Sequence, residues 1–131
     1  MPHSIINPEG LHDPVGFGYS HLARASGELV FVAGQYASDD NGDVTSTDFT
    51  EQVRRSLANL GTALRAAGLD YGDVVQLRTH IVGHDGDKLA VITGLIGEIW
   101  GDRPPTQTLT GVAALALPGM LFEIDAIAVS P

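Results

Sequence analysis

The chain has 131 residues, 44% of them hydrophobic, and seven basic residues against 16 acidic ones give a formal net charge of −9. That length suits one domain, and no apolar run is long enough to cross a bilayer. The acidic balance, with no basic cluster larger than Arg54-Arg55, argues against nucleic acid and anionic membrane surfaces as partners. The absence of cysteine excludes disulfides, thiolate catalysis and cysteine-ligated metals, and it fits the cytoplasm. Met1-Pro2-His3-Ser4 lacks the basic start and apolar block of a signal peptide.

In chain order, His3 to Asn7 is a short extended start, followed by a loop rich in Pro and Gly from Pro8 to Gly18. Tyr19 to Ala25 and Leu29 to Gly34, joined at Ser26-Gly27-Glu28, read as a hairpin. Leu29-Val30-Phe31-Val32-Ala33 is apolar without alternation, which predicts a central strand covered on both faces. Asp39 to Asp43 is a polar surface turn whose oxygens lack the spacing of a calcium loop.

Phe49, Val53, Leu57, Leu60, Leu64 and Ala67 recur at intervals of three and four, predicting a helix from about Phe49 to Ala67. Asp48 and Glu51 resemble a capping box, and Gly68 supplies a left-handed stop. Val74 to Val82 alternates as a strand, with Val75, Leu77, Thr79 and Ile81 on its apolar face. A second helix, about Asp87 to Trp100, turns Leu89, Ile92, Leu95, Ile96 and Ile99 inward, and Gly94 and Gly97 would permit close packing on a sheet. Arg103-Pro104-Pro105 ends it.

The last third holds two extended segments that can lie side by side, Arg103 to Thr110 and Leu121 to Val129, broken at Leu117-Pro118-Gly119. Gln107 stands on the first and Glu123 on the second. This order of elements predicts an α+β fold with two helices on one face of a mixed sheet. The other sheet face is left uncovered and is expected to meet another subunit.

Composition alone marks little chemistry. His80, His84 and Asp85 are a poor metal set, because a strand and a loop need not bring them together. Ser20 and His21 lack a nucleophile elbow. Gly16-Phe17-Gly18-Tyr19 lacks the strand-before, helix-after context of a phosphate loop.

Several segments nevertheless recur together. Gly18-Tyr19-Ser20, Leu29 to Gln35, Phe49-Thr50-Glu51-Gln52, Ala67-Gly68, Asp73-Val74-Val75, Pro105, Leu117-Pro118 and Phe122 to Val129 stand in one order and spacing. In these the chain resembles the YjgF/YER057c/UK114 (Rid) family over roughly residues 5 to 129. The resemblance implies a single chorismate-mutase-like α+β domain, a homotrimer whose sheets face a central core, and ligand pockets at the subunit interfaces. In the deaminase branch it implies hydrolysis of enamine or imine acids to 2-oxo acids and ammonia, with no metal or organic cofactor.

That branch anchors the substrate carboxylate with an arginine two residues after a proline, where a planar guanidinium can pair both oxygens. The matching position after Pro105 is Gln107, which cannot neutralise a carboxylate. Arg103 would need another path into the pocket to compensate. Glu123 matches the family's acidic residue that orients water, and Tyr19 matches a tyrosine at the pocket edge.

Glu123 is thus the expected catalytic residue, with Tyr19, Gln107 and Thr108 binding the substrate. The bland readings are a strand glutamate paired across the trimer and a tyrosine that packs with its hydroxyl in solvent. Three functions follow. The first is a Rid-type binder or hydrolase of a small neutral or differently charged molecule, with Gln107 bonding an amide or carbonyl. The others are an imine deaminase with a compensating cation, and a non-catalytic trimeric binding or regulatory module. Members credited with ribonuclease activity are a poor guide here, given the acidic charge and the lack of a basic stripe.

Overall fold

A computed structural model describes residues 3–131. It shows an α+β fold in which two helices cover one face of a mixed sheet. The strands are β1 (His3–Ile6), β2 (Leu22–Ala25), β3 (Glu28–Gln35), β4 (Val74–Val82), β5 (Thr106–Val112) and β6 (Phe122–Ser130), and the helices are α1 (Phe49–Ala66) and α2 (Gly86–Trp100). The main sheet runs β3-β6-β4-β5. β6 is antiparallel to both neighbours, and β5 lies parallel to β4. β1 and β2 form a separate antiparallel ribbon. It is tied to the start of β5 where Ser20 N donates to Pro105 O at 3.0 Å.

Both helices begin where short acidic side chains can accept from free backbone amides. Asp48 accepts from Glu51 N at 3.0 Å, and Asp85 accepts from Lys88 N at 2.9 Å. Asp85, weighed above as a metal ligand, is therefore a helix cap. Among the described residues no cluster of three or more His, Asp or Glu could hold a metal. Gly68, at φ +75°, takes the left-handed conformation expected after α1.

The core lies between the sheet and the helices. Leu77, Ile81, Phe122, Ile124 and Ala126 meet Val53, Leu57, Leu60 and Leu64 of α1, together with Ile92, Leu95 and Ile96 of α2. Trp100 closes the end of this layer, its indole N–H donating to Tyr71 O at 2.8 Å.

Four expectations need correction. β2 and β3 are not a hairpin: each pairs elsewhere, and the chain passes from ribbon to sheet through Gly27 at φ +125°. A Cβ on Gly27 would lie 2.2 Å from Ser130 O, so this turn is pressed onto the end of β6. β3 is an edge strand rather than a central one. Val30 and Val32 pack on the core, whereas Leu29 and Phe31, on the opposite face, are 54% and 70% exposed. An unbroken apolar run cannot distinguish two buried faces from one buried face and one open face.

Third, β5 and β6 do not touch as neighbours, because β4 runs between them. Its apolar face and its two hydrogen-bonding edges make β4 the natural centre. Fourth, Gly94 and Gly97 do not pack on the sheet; both are exposed, with open space where a Cβ would stand. No helix among the described residues is long and apolar enough to cross a membrane.

Gln52 ties the long connection before β6 to α1. Its side chain is fully buried; Nε2 donates to Ser46 O and Gly119 O, both at 2.8 Å, and Oε1 accepts from Leu121 N at 2.9 Å. Leucine there would keep the volume but strand three backbone groups. We expect Gln52→Leu to cost about 2–4 kcal/mol, read as a lower urea midpoint at unchanged slope.

Candidate functional site

Strand register decides which side chains can meet. Leu77 of β4 stands beside Gln107 of β5 and Ala126 of β6, so Gln107 projects toward the helix layer. His80 stands beside Thr110 and Glu123, which places Glu123 on the opposite, open face. Within one chain, Gln107 and Glu123 are therefore separated by the sheet.

On the helix side there is a cavity of about 670 Å³ between β5, α2 and the loop before β2. Gln107, Thr108 and Leu109 come from β5; Leu89, Ile92 and Thr93 come from α2; His12, Phe17 and Tyr19 come from the loop. The fold thus brings Tyr19, Gln107 and Thr108 together and leaves Glu123 out. Thr108 contributes at the exposed edge, since by register its Cβ lies on the face of Arg78 and Asp125.

Gln107 is engaged at both ends of its amide. Nε2 donates to Gly18 O at 2.9 Å, and Oε1 accepts from Thr79 Oγ1 at 3.1 Å. It therefore clasps the loop to the sheet. Gly18 itself lies against Thr93 and Ile96 of α2, and its φ of +83° is a conformation that favours glycine.

Tyr19 is part of a ring cluster at the rim. Its hydroxyl is hydrogen-bonded to His12 Nε2, and its ring meets that of His21 edge to face at 5.5 Å. Phe17 meets His12 in the same manner at 6.0 Å. His12 and Phe17 escaped the sequence reading because a Pro- and Gly-rich loop has no periodicity to mark them. The available signal was the density of ring side chains, four in ten residues from His12 to His21.

None of the nine lining residues is Lys, Arg, Asp or Glu. Arg103 is not among them: its Nη2 donates to His3 O at 3.3 Å on β1. Burial, and then the Arg103 charge, lower the His3 pKa from its ordinary value. His3 stands beside Ala25 in the ribbon and is not among the cavity's lining residues.

The open face carries a polar row. Arg78 Nε donates to Asp125 Oδ1 at 2.8 Å, His80 Nε2 lies 3.2 Å from Asp125 Oδ2, and His80 Nδ1 lies 3.0 Å from Thr110 Oγ1. The Asp125 hydrogen bond and charge raise the Arg78 pKa further above its ordinary value. Glu123 forms no side-chain hydrogen bond or ion pair among the described residues. It folds over Gly34 of β3, where a Cβ would lie 2.6 Å from its carboxyl carbon.

This arrangement has relatives. Residues 12–130 match the family model described as Endoribonuclease L-PSP. The RutC family protein YjgH of Escherichia coli is 32% identical over 128 residues, 98% of this chain and 95% of that one. A 2-iminobutanoate/2-iminopropanoate deaminase of Rattus norvegicus is 29% identical over 117 residues, covering 88% and 83%. Among solved structures, the protein of unknown function YyfB of the conserved Rid family, from Yersinia pestis, superposes with a TM-score of 0.95. It is 41% identical, with 99% of this chain and 100% of that chain covered. With the family model spanning most of its length and its fold shared with a Rid protein, the chain belongs to the YjgF/YER057c/UK114 (Rid) family.

Proposed function

We propose that this chain is a Rid-family small-molecule-binding protein or hydrolase, and that its ligand is uncharged and enters the cavity beside Gln107. The observation that carries this reading is the lining, which is largely hydrocarbon and holds neither Lys nor Arg. A carboxylate moved there would lose its hydration without an ionic partner, a cost of several kcal/mol. A carbonyl, amide or hydroxyl needs only a hydrogen bond, and Gln107 retains one N–H and one lone pair beyond its bonds to Gly18 and Thr79.

The rat relative is named a deaminase of imino acids, which carry a carboxylate. With glutamine in place of the arginine and Arg103 held at His3, that substrate class is a poor fit to this chain. If 2-iminopropanoate is generated in situ, we expect the protein to leave its hydrolysis unaccelerated. Gln107→Arg should introduce acceleration. Acceleration by the unaltered protein that Glu123→Ala removes would instead make it an imino-acid deaminase.

The assembly we propose is a homotrimer packed through the open sheet face. Exposed Leu29 and Phe31 support it, as does Glu123, which has no partner among the described residues. Only a second protomer can bring Glu123 to a ligand, because the sheet stands between it and the cavity of its own chain. Light scattering after gel filtration should give three times the chain mass, and Phe31→Glu should give one. A single-chain mass for the unaltered protein at micromolar concentration would sink the trimer.

A further inference from the structure

The cavity's polar groups are not equally free. Gln107 is bonded at both ends of its amide, and Thr93 Oγ1 donates to Ala90 O at 3.1 Å. On the loop side the polar edge is the rim, where His12 Nε2 meets the Tyr19 hydroxyl. Other contacts fix His12 in turn. His21 Nε2–H donates to its carbonyl at 2.8 Å, the two imidazole rings pack edge to face at 4.9 Å, and His21 N donates to Asn7 Oδ1 at 2.7 Å. His12 is exposed, so this chain of contacts adds little to the core. What it does is hold one hydroxyl.

A phenol is a stronger acid than neutral imidazole, and an imidazole nitrogen is a stronger base than a phenol oxygen. In the neutral pair Tyr19 therefore donates its O–H to Nε2, and the phenol oxygen is left as an acceptor at the cavity rim. Leu89 and Ile92 of α2 supply aliphatic surface to the same lining. Ring side chains and branched hydrocarbon lining one cavity suit a flat, largely hydrocarbon ligand.

We infer that His12 is a positioning residue of the ligand site, holding the Tyr19 oxygen as acceptor for a flat, uncharged, largely hydrocarbon molecule that carries an N–H or O–H donor. The inference rests on the uncharged-ligand reading above and adds to it a direction of hydrogen bonding.

Indole, 1-methylindole and indole-3-carboxylate test it, with binding followed by ligand-detected NMR on the full chain. Indole should bind more tightly than 1-methylindole by roughly 2- to 12-fold, the worth of one net hydrogen bond. Tyr19→Phe should reduce that ratio to what the extra methyl alone produces. His12→Leu should do the same, while His12→Gln, whose carbonyl can accept the phenol proton, should keep the ratio.

A merely structural His12 would weaken both neutral probes alike and leave the ratio standing, which overturns the inference. Equal binding of the two neutral probes by the unaltered protein, or binding of neither up to their solubility, also overturns it. Tight binding of indole-3-carboxylate would instead refute the uncharged-ligand reading, and the ratio of the neutral pair would still judge the Tyr19 oxygen.

Discussion

The double pairing of β4 is the constraint on which the rest of the structure depends. One edge of this strand bonds in parallel to β5 and the other antiparallel to β6, so the side chains of β5 and of most of β6 are assigned a face by their β4 neighbours. Leu77 commits Gln107 to the helix side, and His80 commits Glu123 to the open side. A slip of one residue in either ladder would exchange polar for apolar across the core, which the buried Leu77, Ile81, Ile124 and Ala126 forbid. Site geometry here is thus a by-product of core packing.

The parts of the fold that were legible in the sequence are those whose periodicity has one physical cause. The helix spacing of Val53, Leu57, Leu60 and Leu64 and the alternation from Val75 to Ile81 each report a single buried face, and both elements are where those patterns place them. Pairing partners were not legible. Leu29 to Ala33 is apolar because one face meets the core while the other is an exposed apolar surface, and the residue types alone cannot separate those reasons. The turn at Gly27 carries hairpin chemistry, yet the end of β6 occupies the space beside it.

For the candidate site, the sequence named residues that the fold places on two faces of the sheet. Tyr19, Gln107 and Thr108 line one cavity of the chain, while Glu123 belongs to another surface. His12, Leu89 and Thr93 became visible only once the loop was folded against α2. Gln107 has a structural role of its own in the fold. Where a guanidinium would offer donors alone, the amide both donates to Gly18 and accepts from Thr79, joining loop and sheet in one side chain.

Gly34 has a consequence that extends beyond its own strand. The space its missing side chain leaves is taken by the Glu123 carboxyl group, whose carbon lies 2.6 Å from where a Cβ would stand. A long acidic side chain ordinarily samples many rotamers and loses that freedom when it is put to use. Here the conformer that the carboxylate holds depends on glycine, since any side chain at position 34 would occupy its place. The absence of one atom on β3 thus sets where the Glu123 carboxylate can lie.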